Sequence, residues 1–96
     1  MTPNRSPAPR GFPLGRTVIT QGARAELGPG DLLSALRRHS SGDWGDLDAA
    51  DKARNDNALL HGDRLVSSYR SIGGVKFYVI TEADRSYTTI LLPQEY

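Results

Sequence analysis

Apolar residues recur along this chain with three different rhythms, and each rhythm predicts a kind of element. Thr17-Val18-Ile19-Thr20 is β-branched throughout and fits a short edge strand. Ala23 to Leu27 fits a brief helical turn stopped by Gly28. From about Gly30 and Asp31 to His39, Leu32, Leu33, Ala35 and Leu36 share one side of a helix. Pro29 suits its entrance, and Arg37 and Arg38 close its last turn, where cations complement the helix dipole. Ser40 to Leu47 reads as a loop. Asp48 then suits the N-cap of a helix from Ala49 to His61, with Asp51 in the first turn and Gly62 as C-terminal cap. The buried side of that helix is expected to be small: Ala49, Ala50, Ala53, Asn57 and Leu60. Lys52, Arg54, Asn55 and Asp56 are expected to face water.

Beyond Gly62 the period changes to two. Arg64 to Arg70, Val75 to Thr81 and Ser86 to Leu92 read as strands, and the tight Gly73-Gly74 connection makes the first two an antiparallel hairpin. In the middle strand Val75, Phe77 and Val79 alternate with Lys76, Tyr78 and Ile80, so both sides carry apolar area. The first set is expected to meet the helices, and Tyr78 and Ile80 need cover from the N-terminal arm, another element or a partner. The expected fold is therefore α+β: a small three- to four-stranded antiparallel sheet packed with two to three helices, the early strand added to the three-stranded meander. Pattern alone does not fix the neighbour of that first strand.

Ninety-six residues fit one domain with a modest core. Met1 to Gly15 holds four prolines and two glycines with almost no apolar periodicity. Residues 1–15 are read as a flexible, Arg-bearing arm and 16–96 as the folded domain. The absence of cysteine excludes disulfides, cysteine-based zinc sites and thiol catalysis. No apolar run approaches the roughly 18 to 20 residues needed to span a bilayer, and the N-terminus lacks the apolar stretch of a signal peptide. Membrane insertion is not expected, and the cytoplasm is the expected compartment. The net charge of +1 conceals an uneven distribution. Residues 1–42 carry six arginines against Glu26 and Asp31, whereas 43–56 carry five aspartates against Lys52 and Arg54. The chain thus has a basic first half and a local acidic patch.

The acidic patch surrounds the only tryptophan, in Gly42-Asp43-Trp44-Gly45-Asp46-Leu47-Asp48. Two roles fit Trp44: an anchor that pins the loop to the core, with its glycines permitting a sharp backbone path, or a partly exposed hot spot. Asp43, Asp46, Asp48 and Asp51 around it suit a basic protein surface and oppose a phosphate backbone. Glu82, Asp84 and Arg85 in the last connection form a second candidate cluster, either a solvated turn, a partner contact or a carboxylate and anion-holding pair. His39 and His61 match no compact zinc signature and read as polar or helix-terminal residues; neither metal nor cofactor is expected. Tyr69, Tyr78 and Tyr87 lie on strands that suit base stacking, and the arginines from Arg5 to Arg38 suit phosphate. No helix-turn-helix or single-strand-binding motif accompanies them.

The run Gly42 through Asp48, then Arg64-Leu65-Val66-Ser67-Ser68-Tyr69-Arg70, and Ile80-Thr81-Glu82-Ala83-Asp84-Arg85-Ser86 ending in Leu91-Leu92-Pro93 resemble a family of short bacterial proteins of plasmids and integrated elements. The resemblance covers about residues 15–96 and assigns no chemistry. It implies a mobile-element setting: blocking host defence nucleases, a toxin and antitoxin pair, or plasmid maintenance. The resulting expectation is a non-enzymatic protein-binding module, an anti-CRISPR-like inhibitor of a host nucleic-acid-targeting complex. Its contact residues would be Asp43, Trp44, Asp46, Asp48, Asp51, Glu82, Asp84 and Arg85, and its partner a host or element-encoded protein. The rival expectation is a small ribonuclease-like toxin or nucleic-acid-binding protein.

Overall fold

A computed structural model describes residues 11–96. Most of the expected arm, including Arg5 and Arg10, lies outside the described residues. The element order is β1 (Arg16–Ile19), α1 (Gln21–Glu26), α2 (Pro29–Ser40), α3 (Ala49–His61), β2 (Leu65–Arg70), β3 (Lys76–Thr81) and β4 (Tyr87–Leu91), followed by a short 3-10 turn at Pro93–Glu95. The fold is α+β, with a four-stranded sheet in the order β1-β4-β3-β2.

The β2–β3–β4 meander is antiparallel as the alternation requires, with Phe77 opposite Tyr69 and Val79 opposite Ile90. β1 corrects the expectation of a wholly antiparallel sheet. It pairs in parallel with β4, Ile19 against Ile90, so the sheet is mixed. The reason is the long return path: three helices separate β1 from β2, and a parallel neighbour needs a crossover of at least a dozen residues.

Facing the helices, Tyr69, Phe77, Val79 and Ile90 are buried against Ala23, Leu27 and Ala35, with Leu32 and Leu36 packed at the margin. Leu33 does not join them. It lies off the stripe of Leu32, Ala35, Leu36 and His39 and is largely exposed. A second cluster gathers Trp44, Ala58 and Leu65 with Phe12, Leu47 and Leu59.

Caps fall where the acids and glycines predict. The Asp48 carboxylate accepts the Asp51 N–H at 2.8 Å, and Gly62 closes α3 in the left-handed region at φ 74°. The inward side of α3 is different from that expected. Asn55 and Ala58 are buried, while Ala49, Ala50, Ala53, Asn57 and Leu60 are exposed. Asn55 turns inward because the outer edge of β2 needs a donor and an acceptor together. Its amide donates to the Val66 carbonyl at 2.6 Å and accepts the Val66 N–H at 3.1 Å. Two residues on, Ser68 donates its N–H to the Trp44 carbonyl and accepts the Asp46 N–H at 2.7 Å. An exposed strand edge is thereby closed by one side chain and one loop.

Gly45 makes that closure possible. Its φ is +78°, and a Cβ there would lie 2.0 Å from the Ser68 carbonyl oxygen and 2.6 Å from the Tyr69 ring.

At the other end, the C-terminal turn packs against β3. Glu95 accepts the Thr20 hydroxyl at 2.5 Å, the Gly22 N–H at 2.9 Å and the Leu92 N–H at 2.9 Å, joining the last residues to the start of α1. Those three donors, the Thr20 hydroxyl foremost, hold the Glu95 carboxyl below its ordinary pKa.

Candidate functional site

The acidic loop is built around internal contacts. Asp43 takes Arg38 in a two-pronged ion pair, Nε at 2.7 Å and Nη2 at 3.2 Å, and also accepts the Gly45 N–H at 3.1 Å. The Arg38 contact holds the Asp43 carboxyl below its ordinary pKa. Arg38 in turn lies 4.6 Å from the Tyr69 ring centre, and the Tyr69 hydroxyl donates to the Asp43 carbonyl at 2.5 Å. Asp48 caps α3, and Asp51 holds Arg54 at 2.7 Å. Trp44 is 2 % exposed, and its indole N–H donates to Asp56 at 2.9 Å. Of its two sequence readings, the anchor is the one its burial matches. Asp56 is half-buried rather than wet.

Trp44 belongs to a wall around His39. Phe12 stacks on it at 6.1 Å between ring centres and meets the His39 ring edge-on at 5.2 Å; Trp44 meets His39 at 5.8 Å. Of the expected arm, residues 11–15 fall within the described residues, Phe12 and Leu14 among them. The Phe12 N–H donates to the Ser40 carbonyl at 3.2 Å.

Behind the wall, β2, β3 and β4 each place a hydroxyl facing His39 or its neighbour. Ser67 Oγ lies 2.6 Å from His39 Nδ1, Thr81 Oγ1 lies 2.9 Å from Nε2, Thr88 Oγ1 lies 2.7 Å from Thr81, and Thr88 donates to the Leu14 carbonyl at 2.7 Å. The carbonyl can only accept, and this directs the chain back from Thr88 to His39 Nε2. Thr88 donates to Leu14, Thr81 to Thr88, His39 Nε2–H to Thr81, and Ser67 to His39 Nδ1. Nε2 is consequently protonated, and burial keeps the ring neutral, so that Nδ1 accepts from Ser67. Burial, with the charge of Arg85 second, lowers the His39 pKa to about 4. The Ser67–His39 pair has the spacing of a nucleophile and base, yet His39, Ser67, Thr81 and Thr88 are all 0 % exposed. No substrate can reach it, and its chemistry is that of a satisfied buried network. Sequence reasoning missed it because its hydroxyls come from three separate strands.

The second predicted cluster is likewise occupied. Arg85 adopts φ 62° and turns its guanidinium onto backbone carbonyls: Asp63 at 2.7 Å, Glu82 at 3.1 Å, Ala83 at 3.2 Å and Ala58 at 3.5 Å. It ties the β3–β4 turn to the end of α3, and its charge lies 5.8 Å from the Phe12 ring centre. Phe12 thus connects Arg85 with Trp44 and links the two predicted clusters. Glu82 is half-buried, and Asp84 is exposed and bonded to the Ser86 N–H at 2.9 Å. His61 Nδ1–H donates locally to the Asn57 carbonyl at 2.8 Å. Among the described residues no three His or carboxylate side chains converge as a metal site would need.

A different surface is open in part, with Ser68, Ile80 and Leu91 buried on it and its margins exposed. Alternation directs Lys76, Tyr78 and Ile80 away from the helices, together with Arg70 on β2 and Tyr87 on β4. Ile80 is buried, Tyr78 half-buried and Tyr96 exposed on this side. Tyr78 and Tyr96 meet edge-on at 6.0 Å, answering which element partners the outward tyrosine. Lys76 Nζ lies 5.6 Å from the Tyr78 ring centre and the Arg64 guanidinium 5.9 Å from that of Tyr96, whose hydroxyl accepts from Arg64 at 2.7 Å. The result is a row, Lys76–Tyr78–Tyr96–Arg64, of alternating charge and ring. Tyr69, grouped with Tyr78 and Tyr87 as a stacking residue, instead points into the core and is 2 % exposed.

Compared with protein-family models, curated proteins and solved structures, the chain matches none.

Proposed function

We propose that this chain is a non-catalytic binding module that acts by occupying a partner, with the outward side of the sheet as its principal contact surface. The observation that carries this reading is the Lys76–Tyr78–Tyr96–Arg64 row, in which rings and cations share a partly open face. The chemically able groups favour the same reading. The Ser67–His39 pair is enclosed, and Arg85 is engaged by four carbonyls, which speaks against the small-ribonuclease alternative. On the acidic side, Asp43, Asp48 and Asp51 already serve the loop and helix, leaving Asp46 and the outer edges of Asp48 and Asp51 as a secondary contact for a basic protein. The resemblance to plasmid-borne proteins gives action by occupancy a setting: an element-encoded inhibitor of a host defence complex in the cytoplasm.

Affinity capture from a bacterial lysate, read by quantitative mass spectrometry, tests this. The wild type is compared with an Arg70→Glu, Lys76→Glu variant and with Asp46→Lys. Loss of a stoichiometric partner with the first variant alone supports the reading. Loss with Asp46→Lys alone moves the contact to the acidic loop. RNA cleavage by purified protein that Arg85→Ala abolishes without loss of binding would establish the enzyme instead.

A further inference from the structure

The outward sheet side has a charge pattern that names a class of ligand. Among the outward positions of the four strands stand Arg16, Arg70 and Lys76 and no carboxylate. Arg70 and Lys76 are direct cross-strand partners, and like charges so placed destabilise a sheet. Among the described residues neither has a carboxylate at ion-pair distance; Arg70 makes a long contact to the Gly74 carbonyl at 3.4 Å. Glu82 and Asp84 lie in the turn after β3, beyond the end opposite Lys76.

The cations adjoin rings. Tyr96 is 68 % exposed and Tyr87 is 41 % exposed, both presenting π surface to solvent. An anion alone would use the Arg70–Lys76 pair and leave the tyrosines idle. A basic protein would be repelled. A chain that alternates phosphate and flat aromatic base satisfies both features, phosphates at the Arg70–Lys76 pair and Arg64, bases on Tyr96 and Tyr78.

We propose that this face binds single-stranded nucleic acid without sequence preference, through stacking and phosphate contacts. This rests on the binding-module reading above and names its ligand. A duplex keeps its bases stacked inside and offers the tyrosines nothing, so single strands are preferred.

Fluorescence anisotropy with end-labelled U15 RNA, T15 DNA and a 15-base-pair duplex tests it on the full chain. Saturable binding of the single strands is expected, tighter than that of the duplex. With three phosphate contacts, log affinity should fall against log salt with a slope of about −2. Tyr96→Ala should weaken binding about tenfold while Tyr96→Phe retains it, and Lys76→Glu should weaken it at least about tenfold. Asp46→Lys, in the loop along the outer edge of β2, removes no cation or ring and should not weaken it; circular dichroism confirms that each variant is folded. Duplex preference, equal binding by wild type and the Tyr96→Ala, Lys76→Glu pair, or no saturable binding overturns the proposal. If oligonucleotides fail to bind but the Arg70→Glu, Lys76→Glu variant still loses a captured protein, the nucleic-acid assignment falls and the binding module stands. If both assays are blank, both fall.

Discussion

His39 concentrates the most chemistry in the least accessible place. Its two ring nitrogens face hydroxyls from different strands; the directional chain to the Leu14 carbonyl makes Nε2 the donor, and burial keeps the ring neutral. Its folded pKa of about 4 lies below the ordinary 6.5, so between those values the unfolded chain binds the proton and the folded chain does not. Stability from this group is complete above pH 6.5 and is lost as pH falls towards 4, about 3 kcal/mol in all. Urea denaturation at half-unit pH steps should show that slope in the wild type and lose it in His39→Leu. Asp43, Asp84 and Glu95 have depressed pKa values, so their contributions are lost as pH falls below the ordinary values of 3.8 for the aspartates and 4.5 for Glu95, and only Glu95 overlaps the acid end of this window.

At the scale of elements, the notable device is the closing of β2. An edge strand with free N–H and C=O groups invites pairing with another chain. Here α3 supplies one amide for Val66, and the Trp44–Asp46 loop supplies a backbone pair for Ser68. Asn55→Ala should cost about 2 kcal/mol, because two polar groups lose their partner at a part-buried site. Asn55→Asp should do no better: it keeps an acceptor for the Val66 N–H but sets a carboxylate against the Val66 carbonyl. Hydrogen exchange at the Val66 amide should accelerate in both, and denaturant midpoints give the cost. The outer edge of β1 has no such cover among the described residues, and its brevity, four residues, limits the template it offers.

Across the whole molecule, the chain is tied together by contacts between its distant parts. β1 pairs with β4, Glu95 holds the start of α1, and Phe12 roofs His39 while touching Trp44 and lying under Arg85. Phe12→Ala therefore acts on more than one element. It should lower stability by about 2 kcal/mol, less than for a fully buried ring because Phe12 is half-buried. It should also admit water to His39 and raise its pKa towards the ordinary value, measurable by titrating the His39 ring proton by NMR. A stability loss with no change in that titration would separate Phe12 from the histidine chamber. The same economy of contacts divides the molecule into a filled side and a partly open one, and the partly open side carries the binding proposal.

What the sequence determined by itself was local. Period-two alternation, the antiparallel β2–β3 hairpin, Asp48 at the N-cap and Gly62 at the C-cap were legible because each depends on neighbours a few residues away, although the turn falls on Ile72 and Gly73, one residue earlier than expected. The α+β class followed from their order. Tertiary structure decided what depends on partners far along the chain. Asn55 reads as a wet helix residue until an unpaired Val66 stands beside it, and Leu60 reads as apolar core until that inward side is taken. Arg85 reads as an anion holder until carbonyls from 22 and 27 residues away surround it. The histidine network joins residues 28 and 42 positions apart, beyond any periodicity. A free backbone group or a buried nitrogen imposes its requirement through space, and one-dimensional spacing does not carry that information.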